Sequence, residues 1–138
     1  MDFAWWDVYH GEVARTFKGQ KHSTCGACSK FGIRLVEIDG KVFNPHRTSG
    51  AGAVMLAYLA GARRVIMLGY DCQHTGGKAH WHGDHPSKLG NAARPETWRA
   101  GFVKLAEAVK GIEVINCSRT TALDVFQRMT LEDALCIP

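Results

Sequence analysis

The sequence predicts an α/β domain in which a small, mainly parallel sheet carries helices on its faces. Three observations carry that expectation. Val65-Ile66-Met67-Leu68-Gly69-Tyr70-Asp71 is a continuous apolar run ending in a carboxylate, the pattern of a central parallel strand buried on both faces. Helical patterns lie on either side of it, from Ser49 to Ala60 and from Pro95 to Lys110. Ile112-Glu113-Val114-Ile115-Asn116-Cys117 then reads as a second short strand, and strand, helix, strand in that order returns the chain by a right-handed crossover. With 138 residues and 46% hydrophobic content, residues 1–138 suit one domain with its own core.

Taken in order, Phe3-Ala4-Trp5-Trp6-Asp7-Val8-Tyr9-His10 is dense in aromatics, and Glu12 to Phe17 follows at roughly helical spacing. Termini are usually polar and mobile. This one either docks into the core or continues a fold begun by a longer ancestor, and an uncovered aromatic patch at Phe3, Trp5, Trp6 and Tyr9 would fit a protein partner or a second copy of the chain. Gly32 to Ile38 alternates like a half-buried strand and stops at the turn signal Asp39-Gly40. Ser49 is placed to cap a helix rich in Ala, Met and Leu that closes on Gly61. Cys72 to Arg94 has no periodicity and reads as a long functional loop. The helix from Pro95 carries Trp98, Phe102, Leu105, Ala106 and Val109 on one face, with Gly111 past its end. Thr121 to Phe126 and Thr130 to Leu135 read as short helical turns, the second capped by Thr130.

Composition narrows the function. The net charge of +4 comes from Lys and Arg scattered along the chain rather than gathered in a block, which argues only weakly for a polyanionic partner and leaves nucleic acid an unfavoured one. No apolar run reaches the roughly 18 residues that span a bilayer, and the first residues lack a signal-like pattern, so the expected location is cytoplasmic. The five cysteines are expected to be free thiols, and the C-x-x-C of Cys25 and Cys28 reads as small residues entering a short helix.

The most informative stretch is His80-Trp81-His82-Gly83-Asp84-His85. Groups that titrate near neutrality are rarely crowded together for packing alone, because burying them unpaired costs free energy. A histidine acting as general base or acid is the main reading and requires no cofactor. The alternative is a metal site built from His80, His82, Asp84 and His85, since imidazole and carboxylate suit zinc or another divalent ion. The spelling H-x-H-x-D-H matches metallo-β-lactamase-like hydrolases, but those need further ligands downstream and no histidine follows His85. The same gap weakens a nuclease reading of Gly83 to Pro86 with Asn91.

A second candidate lies in Asn44-Pro45-His46-Arg47-Thr48-Ser49-Gly50, where small hydroxyls and a glycine meet a helix N-terminus and free amides favour an anion such as phosphate. In parallel sheets ligands sit beyond the carboxyl ends of strands. Gly69, Asp71, Asn116, the loop from Asn44 to Gly50 and the histidine loop are all expected at that edge, converging on one cleft.

Arg47-Thr48-Ser49-Gly50, the Ala-rich helix, Gly61-Ala62-Arg63-Arg64 and Leu68-Gly69-Tyr70-Asp71 together resemble the middle of bacterial CMP-sialic-acid-dependent sialyltransferases and the related Rossmann-like proteins of unknown function encoded by phages. The likeness to the phage proteins runs over nearly the whole chain. It implies a Rossmann-like three-layer domain that binds a nucleotide or nucleotide sugar. It further implies that Thr48, Ser49 and Gly50 contact the donor and that His85 or His82 deprotonates the acceptor hydroxyl. Family members begin with a strand and a glycine-rich loop, and nothing of that kind precedes Trp5-Trp6-Asp7, so the chain resembles a member lacking its first half.

Overall fold

Along the chain run α1 (Phe3–Thr16), β1 (His22–Ser23), a 3₁₀ turn (Gly26–Phe31), β2 (Arg34–Leu35), β3 (Glu37–Ile38), β4 (Lys41–Val42), α2 (Ser49–Leu59) and β5 (Arg64–Met67). Two more 3₁₀ turns (Thr75–Gly77 and Pro95–Trp98), α3 (Arg99–Ala108), β6 (Glu113–Asn116), β7 (Gln127–Arg128) and α4 (Leu131–Cys136) complete it. This computed structural model describes residues 3–44, 48–80, 82–86 and 89–137. The fold is mixed α/β with small, mostly parallel sheets.

The central sheet has the order β5-β6-β7 and is parallel throughout, with Val65 opposite Val114 and Met67 opposite Asn116. Its residues alternate between two apolar clusters, as the twofold period of a strand requires. Val65, Met67 and Val114 join Val54 and Met55 of α2 and Phe102 and Leu105 of α3 in the main core. Ile66 and Ile115 point the other way, to Ala134 and Leu131 of α4. Burial on both sides is why these strands read as unbroken apolar runs. Arg64 and Glu113 pair at the start of the sheet, and Arg64 also donates to the Ile137 carbonyl at 2.7 Å.

Helix α2 ends as its sequence demands. Gly61 takes φ +87, and the Gly61 and Ala62 amides return to the Tyr58 and Ala57 carbonyls, so the glycine closes the last turn where a side chain would be strained. The cap at the other end is Thr48, one residue earlier than the expected Ser49. The predicted 3.6-residue face beyond Pro95 holds, although the first turn is 3₁₀ and α3 proper starts at Arg99.

Three expectations are corrected. The strand expected from Gly32 to Ile38 divides at Val36, whose amide donates to the Ser23 carbonyl and whose carbonyl accepts from Phe43. β2 thereby pairs with β1, while β3 turns back through Asp39 (φ 51) and Gly40 (φ 72) to pair with β4. Both turn residues have the positive φ of a type I′ hairpin. β5 stops at Met67 rather than reaching Asp71, because Gly69 (φ 73) turns the chain out of the extended conformation. Thr121 to Phe126 is not helical. The Thr121 hydroxyl instead donates to the Tyr70 carbonyl at 2.7 Å and accepts from the Leu123 amide at 2.9 Å, and the irregular chain runs on into β7.

The aromatic N-terminal segment forms α1 and packs on the 3₁₀ turn at Gly26–Phe31, where Trp6, Cys28 and Ile33 make a satellite core. Trp6 is 2% exposed and Phe3, Trp5 and Tyr9 are half-buried, so the open patch expected there is largely covered from within the chain.

Candidate functional site

The loop after β5 is folded back on itself by polar contacts. Thr75 donates through its hydroxyl to the Asp71 carboxylate at 2.6 Å, and His74 Nε2 meets the Ala92 carbonyl at 2.6 Å. The Ala92 amide donates to His80 Nε2 at 3.3 Å, the His85 amide to Asn91 Oδ1 at 2.8 Å, and the Leu89 amide to the Pro86 carbonyl at 2.8 Å. The outer side of the loop leans on α1. His85, Pro86 and Leu89 line a small cavity with Trp5, Tyr9 and Val13, which gives the aromatics of α1 an internal neighbour.

These contacts gather three imidazoles. Ring centroids lie 5.1 Å apart for His80 and His82, 4.3 Å for His80 and His85, and 5.0 Å for His82 and His85. A ligating atom from each falls within 4.8 Å of the others. His80 and His85 are half-buried and His82 is exposed. Asp84, exposed, does not join this set. Burial is the first cause that lowers the pKa of His80, followed by the neighbouring His85 and His82, while the Asp84 carboxylate opposes them. A neutral imidazole keeps a lone pair for a proton or a metal.

The inner side of the loop faces the start of α2. Thr48, Ser49 and Gly50 line a cleft of about 480 Å³ together with His80, His85, Asn91, Arg94 and Trp98, a volume in the range of small-molecule sites. The Thr48 side chain does not cap α2, so the amides of the first turn are left without that partner. Tyr70 fixes the turn. A Cβ on Gly50 would lie 2.8 Å from Tyr70 Cε1 and 3.4 Å from Phe102 Cζ, so only glycine admits the ring that carries this wall. The Tyr70 hydroxyl reaches the Gly50 carbonyl at 3.4 Å, and burial pushes its pKa up.

The residues singled out in the sequence therefore divide. Thr48, Ser49, Gly50, His80 and His85 share one cleft, while Gly69 and Asp71 line a larger one of about 890 Å³ at the carboxyl ends of the strands, with Ser118, Arg119, Arg128 and Thr130. Asn116 faces neither. It is fully buried, its Nδ2 donating to Thr121 and Leu123 and its Oδ1 accepting from the Ser118 amide. Asn44 is exposed, and Pro45, His46, Arg47 and Trp81 lie outside the described residues. Arg94 and Trp98 also line the cleft, without a sequence motif of their own. Their one signal is the Arg94-Pro95 start of a helix, which brings a second helix N-terminus to the cleft. Arg119 and Arg128 were lost among scattered charges.

Among the described residues no helix is long and apolar enough to cross a membrane. All five cysteines are free. Burial first, then the Asp71 charge, pushes Cys72 up to about 11. Because the thiolate is the nucleophile, brief alkylation of the native protein at neutral pH is expected to label exposed Cys136 and spare Cys72 by peptide mass mapping. Equal labelling of the two would contradict the burial of Cys72. No family model, curated protein or solved structure matches the chain.

Proposed function

We propose that the chain is a Rossmann-like domain that binds a nucleotide or nucleotide sugar in the cleft between the start of α2 and the histidine loop, and that it transfers the sugar with inversion. The observation that carries this reading is the sharing of one cleft by the Ser49-Gly50 turn and His85. A helix N-terminus holds a phosphate through free amides and its dipole, and Arg94 adds a cation at the same wall. His85 takes the proton of the acceptor hydroxyl as its oxygen attacks the anomeric carbon from the side opposite the phosphate. The glycosidic bond to phosphate breaks, and the leaving anion stays on the α2 amides. His82, exposed beside His85, is the other candidate base. The resemblance to CMP-sialic-acid-dependent enzymes puts CMP first among ligands to try.

A thermal-shift screen with CMP, UDP, GDP and their sugars tests binding, since a ligand at a hundred times its dissociation constant adds roughly 2.7 kcal/mol. The His85→Ala variant is expected to keep that shift and lose roughly 10²–10⁴-fold in transfer rate. A screen with no shift sinks the reading, and an undiminished rate in the variant removes His85 from the chemistry.

A further inference from the structure

We propose that His80, His82 and His85 form a three-histidine site for a first-row transition-metal ion, with zinc the leading candidate. The site goes beyond the nucleotide reading and does not depend on it.

Three features of the loop point the same way. The imidazoles come from one six-residue stretch, and Gly83, with φ +89, turns the chain between His82 and His85 so that the third ring folds back onto the first two. Backbone contacts fix the base of the cluster, through the His85 amide on Asn91 and the Gly83 amide on the His80 carbonyl at 3.4 Å. His82 is exposed and His80 and His85 are only half-buried, so burial in a core does not account for the gathering of all three rings. His80 and His82 stack at 5°, and His85 meets them at 61° and 57°.

The donor set selects the ion. Three nitrogens with neither thiolate nor ligating carboxylate suit zinc, copper, nickel or iron(II) rather than calcium or magnesium. In a tetrahedral shell with Zn–N near 2.0–2.1 Å, nitrogens sit about 3.3 Å apart, so ligand atoms within 4.8 Å of one another need to close by at most about 1.5 Å. Side-chain rotation in a loop this exposed supplies that movement. The Ala92 amide occupies at most one ring nitrogen of His80. Three protein ligands leave a fourth position open, as in sites where water or a ligand oxygen completes the shell. His80 and His85 line the cleft that also holds Ser49, Gly50 and Arg94, so an oxyanion bound there is within the neighbourhood of the ion. A lone pair given to the metal cannot take a proton, so His85 acts as base only in the metal-free protein, and zinc bound here is expected to inhibit transfer.

The test uses the full chain, purified without a histidine tag, stripped with EDTA and titrated with cobalt(II) by absorbance and zinc by calorimetry, in the absence of any nucleotide. One equivalent is expected to bind, with cobalt d–d bands and no thiolate charge-transfer band. His80→Ala, His82→Ala and His85→Ala are each expected to weaken binding at least about tenfold, the loss that removing mere outer partners already causes. His22→Ala, outside the cluster, is expected to bind as the parent does. Metal-free thermal melts of the variants establish that they are folded, and His82, being exposed, provides a substitution that spares the core. Absence of saturable binding overturns the proposal. So does affinity unchanged in all three variants, or a thiolate band, which would move the ion to Cys25 and Cys28. A metal-positive protein that ignores every nucleotide would leave this site standing and end the nucleotide reading alone.

Discussion

Replacing Phe102 with alanine is expected to cost about 3–5 kcal/mol of folding stability, read from urea or thermal unfolding. Phe102 is 1% exposed and stands where α2, α3 and the central sheet meet. Its ring meets Tyr70 edge-on at 5.7 Å and Phe126 at 6.5 Å, so the substitution forfeits both aromatic contacts as well as the buried area. Its ring meets Tyr70 and Phe126 from two separate loops and lies against Gly50 at the start of α2, and these do not readily collapse into the space together. Against a typical total of about 5–15 kcal/mol the loss is large, and it lowers the melting temperature by on the order of 10 °C. The effect reaches the cleft as well, because Phe102 supports Tyr70 and Tyr70 seats on Gly50. Leu135→Ala, at a position 67% exposed, is the control and is expected to change stability by no more than about 0.5 kcal/mol. A Phe102→Ala protein as stable as that control would mean that the ring is not in the core.

What the sequence makes legible are the features whose cause is local. The 3.6-residue repeat of Phe102, Leu105 and Val109, the two-sided burial of Val65 to Met67 and the Asp39-Gly40 turn all follow from side chains within a few positions of one another. Features set by distant partners are not legible. Thr121 reads as the start of a helical turn until Tyr70, 51 residues away, supplies the carbonyl that its hydroxyl holds. The break at Val36 likewise depends on Ser23 and Phe43.

The site divides along the same line. Ser49 and His85 could be chosen by chemical type, one at a helix start and the other in a polar loop, and the structure brings them to one cleft. Gly69 and Asp71 could also be placed at a strand end. Which way they face depends on two positive-φ residues, Gly69 and Cys72, that send the chain toward the other cleft. That second, larger cleft has no short motif to announce it, since its arginines, Arg119 and Arg128, arrive from separate segments after β6 and in β7.

Asn116 gives the second large effect and separates a structural role from a binding one. Asn116→Ala is expected to lose about 3 kcal/mol or more, because it strands the buried Ser118 amide and the Leu123 carbonyl and opens a cavity beside Leu123. Asn116→Asp keeps the acceptor for Ser118 but turns a carboxylate toward the Leu123 carbonyl in a fully buried position. Burial raises that carboxyl above its unfolded value of about 3.9, so the unfolded chain binds fewer protons than the native one between the two. Stability then falls as pH rises through that window and stays low above it, the reverse of the usual carboxylate. Denaturant melts of both variants across pH, set beside nucleotide binding at a temperature where each is still folded, give the decision. Low stability with unchanged affinity places Asn116 in the scaffold that holds Thr121 and the end of β5. Full stability with lost affinity would instead require its amide to turn outward to a ligand.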